Sequence, residues 1–170
     1  MDEEERTSAV GLLGFAHSYW EAAVALDNTQ RKATHPDSPR DYLYYHAIEL
    51  YLKAYLRLKG SSVKELWNLG HKLNRLYETA VRNGLNDIPY RRALMNAIDR
   101  NYKSARYIST GYYVRPRARA LWSMCHSLHE EIEPQIHQAW KVTRKRHIPW
   151  VTARMENRTC RAPGDIRASK

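Results

Sequence analysis

From Arg40 to Gly60 the chain reads RDYLYYHAIELYLKAYLRLKG, with apolar residues on most sides of a helical wheel. Tyr42, Leu43, Tyr45, Ile48, Leu50, Leu52, Tyr55, Leu56 and Leu58 cannot share one stripe. A helix apolar nearly all the way round has neighbours on several sides, so this stretch predicts a central helix over about 40–59. Pro36 and Pro39 precede it, Asp37 or Ser38 can cap it, and Gly60 ends it. Its polar residues, His46, Glu49, Lys53 and Arg57, fall into a narrow stripe. Glu49 and Lys53 stand at i,i+4 with the acid first, the better order for a helical ion pair. As a structural network the stripe would fix helix register; as a site it would line a groove with His71 or Arg106.

Helical spacing recurs on both sides. Leu13, Ala16, Trp20 and Ala23 predict a first helix over about 8–31, with Thr7 or Ser8 as its cap. The short loop over 32–39 should return the central helix antiparallel to it. Ser62 followed by Glu65 has capping-box spacing and opens a short turn carrying Leu66, Trp67 and Leu69. Leu73, Leu76, Tyr77 and Ala80 predict a helix over 71–83, stopped at Asn83-Gly84. Another helix is expected over 88–101, then a Tyr-rich loop over 102–114. The last helix begins at Pro116 and runs to about Lys145, with Pro134 as a point where it could kink. No strand alternation or internal repeat is visible. The pattern predicts an all-α, up-and-down bundle of about five helices over 1–146. A basic, partly disordered tail follows over 147–170, with Ile148, Trp150 and Val151 as its candidates for local order.

Composition sharpens this picture. The chain of 170 residues suits one domain with a real core. Tyr (12) and Trp (5) far outnumber Phe (1), so much of the aromatic surface carries a polar tip suited to helix seams, interfaces or base stacking. Residues 141–170 carry +7 of the net +10, which makes the basic character mainly a tail property. Cys125 and Cys160 have no metal-ligand spacing and form no disulfide framework. The acidic start MDEEERT is unlike a signal peptide, and no apolar run has the length of a membrane span. A cytoplasmic protein without cofactor or metal is expected.

Two stretches carry a family resemblance: YYHAIELYLKAYLRLKG at 44–60 and LGHKLNRLYETA at 69–80. In order and spacing they resemble the second core helix and the Gly-His-x-Leu helix start of the HEPN family, named for higher eukaryotes and prokaryotes nucleotide-binding. Arg106-Tyr107, ahead of the last helix, is also a familiar kind of position in that family. The resemblance covers roughly residues 10–140. It implies a helical bundle that forms a homodimer, with RNA, a nucleotide or a partner protein as its ligand, in a bacterial defence or toxin–antitoxin setting.

Catalytic HEPN proteins resemble one another in a motif of Arg, four to six residues, then His, and cut RNA without metal. A His can move a proton at the ribose 2′-hydroxyl or the leaving oxygen, and an Arg can stabilise phosphoryl charge. Two pairs here have the spacing. Arg119 and His126, in RALWSMCH, fall on the last helix two turns apart and so on one face. Arg40 and His46, in RDYLYYH, fall on the central helix about 120° apart. Ala120 stands where the family's motif usually has a polar residue. Two readings therefore stand side by side: a metal-independent endoribonuclease, and a non-catalytic dimerisation module that binds a nucleotide or a protein.

Overall fold

A computed structural model describes residues 7–29, 32, 34–106, 115–143 and 145–152, with side chains at 100, 101 and 103–106 left out of the description. Within these residues the chain is all-helical. The helices are α1 (Ala9–Asp27), α2 (Asp37–Leu58), α3 (Val63–Leu69), α4 (Leu73–Arg82), α5 (Pro89–Arg106) and α6 (Ala118–Trp140).

The central helix is enclosed as its sequence predicts. Tyr44, Tyr45, Ile48, Tyr51, Leu52, Tyr55 and Leu56 of α2 are all buried, on several faces of one helix. Side-chain contacts give the direction of each neighbour. Arg57 of α2 donates to the Thr7 carbonyl at one end of α1, and Arg40 pairs with Asp27 at the other, so α1 and α2 are antiparallel. Along α6, Cys125 lies by Tyr44, His129 by Tyr51 and Gln135 by Lys59, so α6 runs parallel to α2. The short α3 carries the chain back up beside α2. The up-and-down alternation is thereby kept, with α3 as a brief return stroke.

Local chemistry explains the element ends. Ser8 caps α1 by accepting from the Gly11 amide. At α3 the capping box is complete: Ser62 accepts from the Glu65 amide and Glu65 accepts from the Ser62 amide. Gly60 and Gly84 take φ of +95° and +96°, a left-handed conformation that costs glycine little and lets the chain turn after α2 and α4. Four boundaries differ from the sequence-based expectation, the fourth being the end of the last helix, at Trp140 and not about Lys145. The central helix starts at Asp37, inside its first turn and without a side-chain cap. The first helix ends at Asp27. The fifth helix continues through Tyr102 to Arg106. Tyr102 is no loop tyrosine. It is buried against Tyr42 and Tyr45, and the hydrogen bond of its hydroxyl to Glu49 gives the polar tip a place in the core. The last helix passes through Pro134, which faces solvent, and ends at Trp140.

Beyond α6 the chain returns as an extended strap over 145–152. The Asn28 side chain grips it twice, donating to the Trp150 carbonyl at 3.1 Å and accepting from the Thr152 amide at 2.7 Å. The Trp122 indole donates to the Pro149 carbonyl at 2.8 Å. The boundary expected at 146/147 therefore falls within a segment packed on α1 and α6. Residues 153–170, including Cys160, lie outside the described residues.

Arg91, which has no apolar pattern to announce it, joins α5 to α6. Its side chain is 2% exposed and donates to Glu131, to the Ser127 hydroxyl and carbonyl, and to the Asn86 carbonyl. Removing it would leave the Glu131 carboxylate without its cation in a largely desolvated seam. We expect Arg91→Ala to cost about 3–5 kcal/mol, read as a lowered midpoint in urea unfolding.

Candidate functional site

Three polar groupings stand out, and the sequence-derived residues divide among them. At the end where α1 passes to α2, Arg40 is ringed by carboxylates. It lies 3.2 Å from Asp27, 3.0 Å from Asp37 and 2.7 Å from Asp41. Tyr44 donates to Asp27 at 2.6 Å, and Arg115 reaches in to the Ser38 hydroxyl at 2.7 Å. Burial pushes the Asp41 carboxyl up, against the lowering effect of Arg40. Arg40 is thus committed to tying two helix ends together.

The polar stripe of α2 forms the second grouping. Glu49 is 1% exposed, and a carboxylate so buried needs hydrogen-bond donors. Lys53 donates at 2.6 Å, Tyr102 of α5 at 2.6 Å, and His71, from the α3–α4 turn, at 2.9 Å. The Tyr102 hydroxyl, having given its proton to Glu49, accepts from His46 Nδ1 at 3.0 Å. Burial works against the charge on Glu49, but His46 at 3.7 Å, the Lys53 ammonium and the Tyr102 hydroxyl outweigh it and hold the carboxyl well below the usual carboxylate range. His46 is boxed by Tyr19, edge-on at 4.4 Å, and by Tyr42, stacked at 5.9 Å. The Glu49–Lys53 pair was legible in the sequence. His71 was a sequence-derived candidate neighbour of the stripe, whereas the contribution of Tyr102 was not legible, because it comes from a separate helix. Arg106 ends α5 with its side chain outside the description, and Tyr107 lies outside the described residues.

The third grouping runs along α6. Arg119, Trp122, His126, His129, Glu133 and His137 follow one another at three- and four-residue steps and so share a face. Its deep half is fully engaged. His129 Nε2 lies 3.2 Å from Glu133, and its Nδ1 meets the Tyr51 hydroxyl at 3.3 Å. Burial pushes the His129 imidazole down despite Glu133 beside it. Glu133 also takes the Arg146 amide at 3.2 Å and lies 3.5 Å from His137. On α1 opposite, His17 and Glu21 are one turn apart and 3.5 Å from each other. The sequence singled out Arg119 and His126 but not this deep half, for which the i,i+4 spacings His17–Glu21, His129–Glu133 and Glu133–His137 were the available signal.

The outer half of the same face holds the pair with the spacing of interest. Arg119 is exposed, with no ion pair among the described residues. The His126 ring stacks on Trp122 at 4.9 Å and 11°, and Trp122 in turn meets Trp150 of the strap at 5.3 Å. Trp150 is 64% exposed. Neither ring nitrogen of His126 has a hydrogen-bond partner among the described residues. Exposed His35 likewise shows none, whereas His17, His46, His71, His129 and His137 each have one, and His147 lies 3.1 Å from Glu21. Of the two pairs with matching spacing, then, Arg40 and His46 are each tied into a separate network, while Arg119 and His126 are uncommitted.

Comparison with protein-family models, with curated proteins and with solved structures finds no match. Among the described residues no helix is long and apolar enough to cross a membrane.

Two stability predictions follow from these networks. Glu49→Ala should destabilise the fold by about 3–5 kcal/mol, because Lys53 loses its partner in a buried setting, whereas Lys53→Met should cost less in urea unfolding. The second concerns acid. His129 binds its proton less tightly folded than unfolded, so the unfolded state gains protons first as pH falls below the ordinary histidine value. Stability should fall from about pH 6.5 downward, and His129→Gln should flatten that limb in thermal melts at stepped pH.

Proposed function

We propose that this chain is an RNA-directed, HEPN-like homodimer of the cytoplasm, acting in a defence or toxin–antitoxin setting, and that Arg119 and His126 cut RNA without metal. The observation that carries this reading is the uncommitted state of both groups on one face of α6. A histidine with both nitrogens unengaged can take the 2′-hydroxyl proton, and an exposed guanidinium can receive the charge that develops on phosphate. The row His126–Trp122–Trp150 beside them offers aromatic faces on which bases can stack, as single-stranded RNA sites do. The metal plays no part in this chemistry, since both the proton transfer and the charge stabilisation come from side chains.

A second reading is supported by the same row of rings. Stacking together with exposed arginines is enough to bind RNA without cutting it, and Ala120 beside Arg119 departs from the pattern of cleaving relatives. Exposed Phe15, Trp67 and Trp140 further suit contact with a protein, either a second copy or another partner.

Single-stranded and structured RNAs incubated with the full chain in magnesium-free buffer separate these readings. Cleavage by the wild type should fall at least about a hundredfold in His126→Ala and in Arg119→Ala. Cleavage unchanged in His126→Ala sinks the proposed site. In anisotropy titrations Trp150→Ala should weaken RNA binding by about 1–3 kcal/mol. Binding that survives this change with no cleavage by the wild type would favour a protein-binding role for the bundle. Sedimentation as a monomer would count against assembly across a two-fold axis.

A further inference from the structure

Where the strap crosses α1, three side chains converge. His17 and Glu21 lie one turn apart on α1, and His147 comes down from the strap. One ligand atom from each lies within 4.8 Å of the other two. His17 is buried, Glu21 half-buried and His147 exposed, so the group is anchored at one side and open at the other.

The hydrogen bonds fix which atoms face the centre. His17 Nε2 stands 2.8 Å from the His147 carbonyl oxygen. A carbonyl only accepts, so Nε2 carries the hydrogen and Nδ1 of a neutral His17 presents a lone pair. That lone pair points at a carboxylate oxygen of Glu21 3.5 Å away. The other oxygen of Glu21 stands 3.1 Å from His147 Nε2. Lone pair set against carboxylate is unfavourable unless a cation lies between them. The rings of His129 and His147 also stand near His17, at 5.6 Å and 5.4 Å. A single ion bound by all three ligands meets the same need with directed bonds.

The spacing suits a small transition metal. Nitrogen and oxygen ligands bound at 2.0–2.1 Å around a tetrahedral centre lie about 3.3 Å apart; here one ligand atom from each residue lies within 4.8 Å of the others, and the two Glu21 oxygens stand 3.5 Å from His17 and 3.1 Å from His147. Two imidazoles and one carboxylate are a donor set that zinc accepts, with a fourth position left for water. The bond from His17 Nε2 to a backbone carbonyl is the outer contact that orients a ligating histidine and selects its tautomer. In this case the carbonyl belongs to His147, another member of the set, so binding would lock strap and helix to each other through both residues.

We propose that His17, Glu21 and His147 form a zinc-type metal site that staples the strap over 145–152 onto α1. The role is structural: the ion holds two segments far apart in sequence. The site is independent of the Arg119–His126 reading.

The test uses the untagged full chain. After loading with zinc and dialysis, metal analysis should find about one equivalent bound, and Co2+ in its place should give visible ligand-field bands. Glu21→Gln and His147→Ala, both at positions with solvent access, should each weaken uptake about tenfold or more, the scale on which even outer contacts move metal affinity. Zinc should slow tryptic cleavage at Lys145 and Arg146 in the wild type and not in either variant. Retention of no zinc by the wild type overturns the proposal, as does retention equal in wild type and both variants, which would place the metal elsewhere.

Discussion

The need to leave no charge unpaired inside a closed bundle governs this molecule more than any apolar contact. Helix α2 is surrounded, so each of its polar groups must be answered by a neighbour. Glu49 is the clearest case. Its carboxylate takes hydrogen bonds from its own helix, from the α3–α4 turn and from α5, which fixes three separately wandering segments to one point. Apolar packing alone allows helices to slide and rotate at modest cost, while a buried carboxylate with three donors accepts one arrangement. Arg40 does the same at the α1–α2 junction with the signs reversed, and Arg91 does it between α5 and α6.

This division of labour bears on where chemistry can occur. Groups that hold the bundle together are saturated with partners and unavailable to a ligand. The α2 stripe, attractive as a motif, belongs to that class. What remains uncommitted lies toward the surface, at the start of α6, where Arg119 and His126 stand beside stacked aromatic rings. The exposed rim of the bundle, and not its charged centre, is therefore the place from which a substrate could be reached.

Periodicity made the helices legible, because the apolar residues of α1, α2, α4 and α6 repeat at the helical step. It failed where burial is decided by a polar tip. Tyr102 looked like a loop residue since its environment is set by Glu49, 53 positions away. Element ends at Ser8 and Ser62 could be read because capping is local, and the start of α2 could not because no side chain caps it. In the candidate sites the same rule holds. Pairs within one helix, Glu49–Lys53 and Arg119–His126, could be found from spacing. Those that meet through tertiary structure, such as Tyr102 with Glu49 or His147 with Glu21, could not, although His71 was a candidate neighbour of the α2 stripe. Nor could spacing distinguish Arg40–His46 from Arg119–His126; only the partners of each group did that.

The strap has a consequence for the order in which the protein can be made. Its contacts join Asn28 to Trp150 and His17 to the His147 carbonyl, across more than a hundred intervening residues. A ribosome releases α1 well before the strap, so the face of α1 bearing His17 and Glu21 is complete long before its cover exists. Until then that face is open to water, to chaperones or to a second chain. Docking of residues 145–152 is thus a closing step, carried by a few hydrogen bonds at the end of a long loop, and the molecule passes through a nearly finished bundle still lacking its cover.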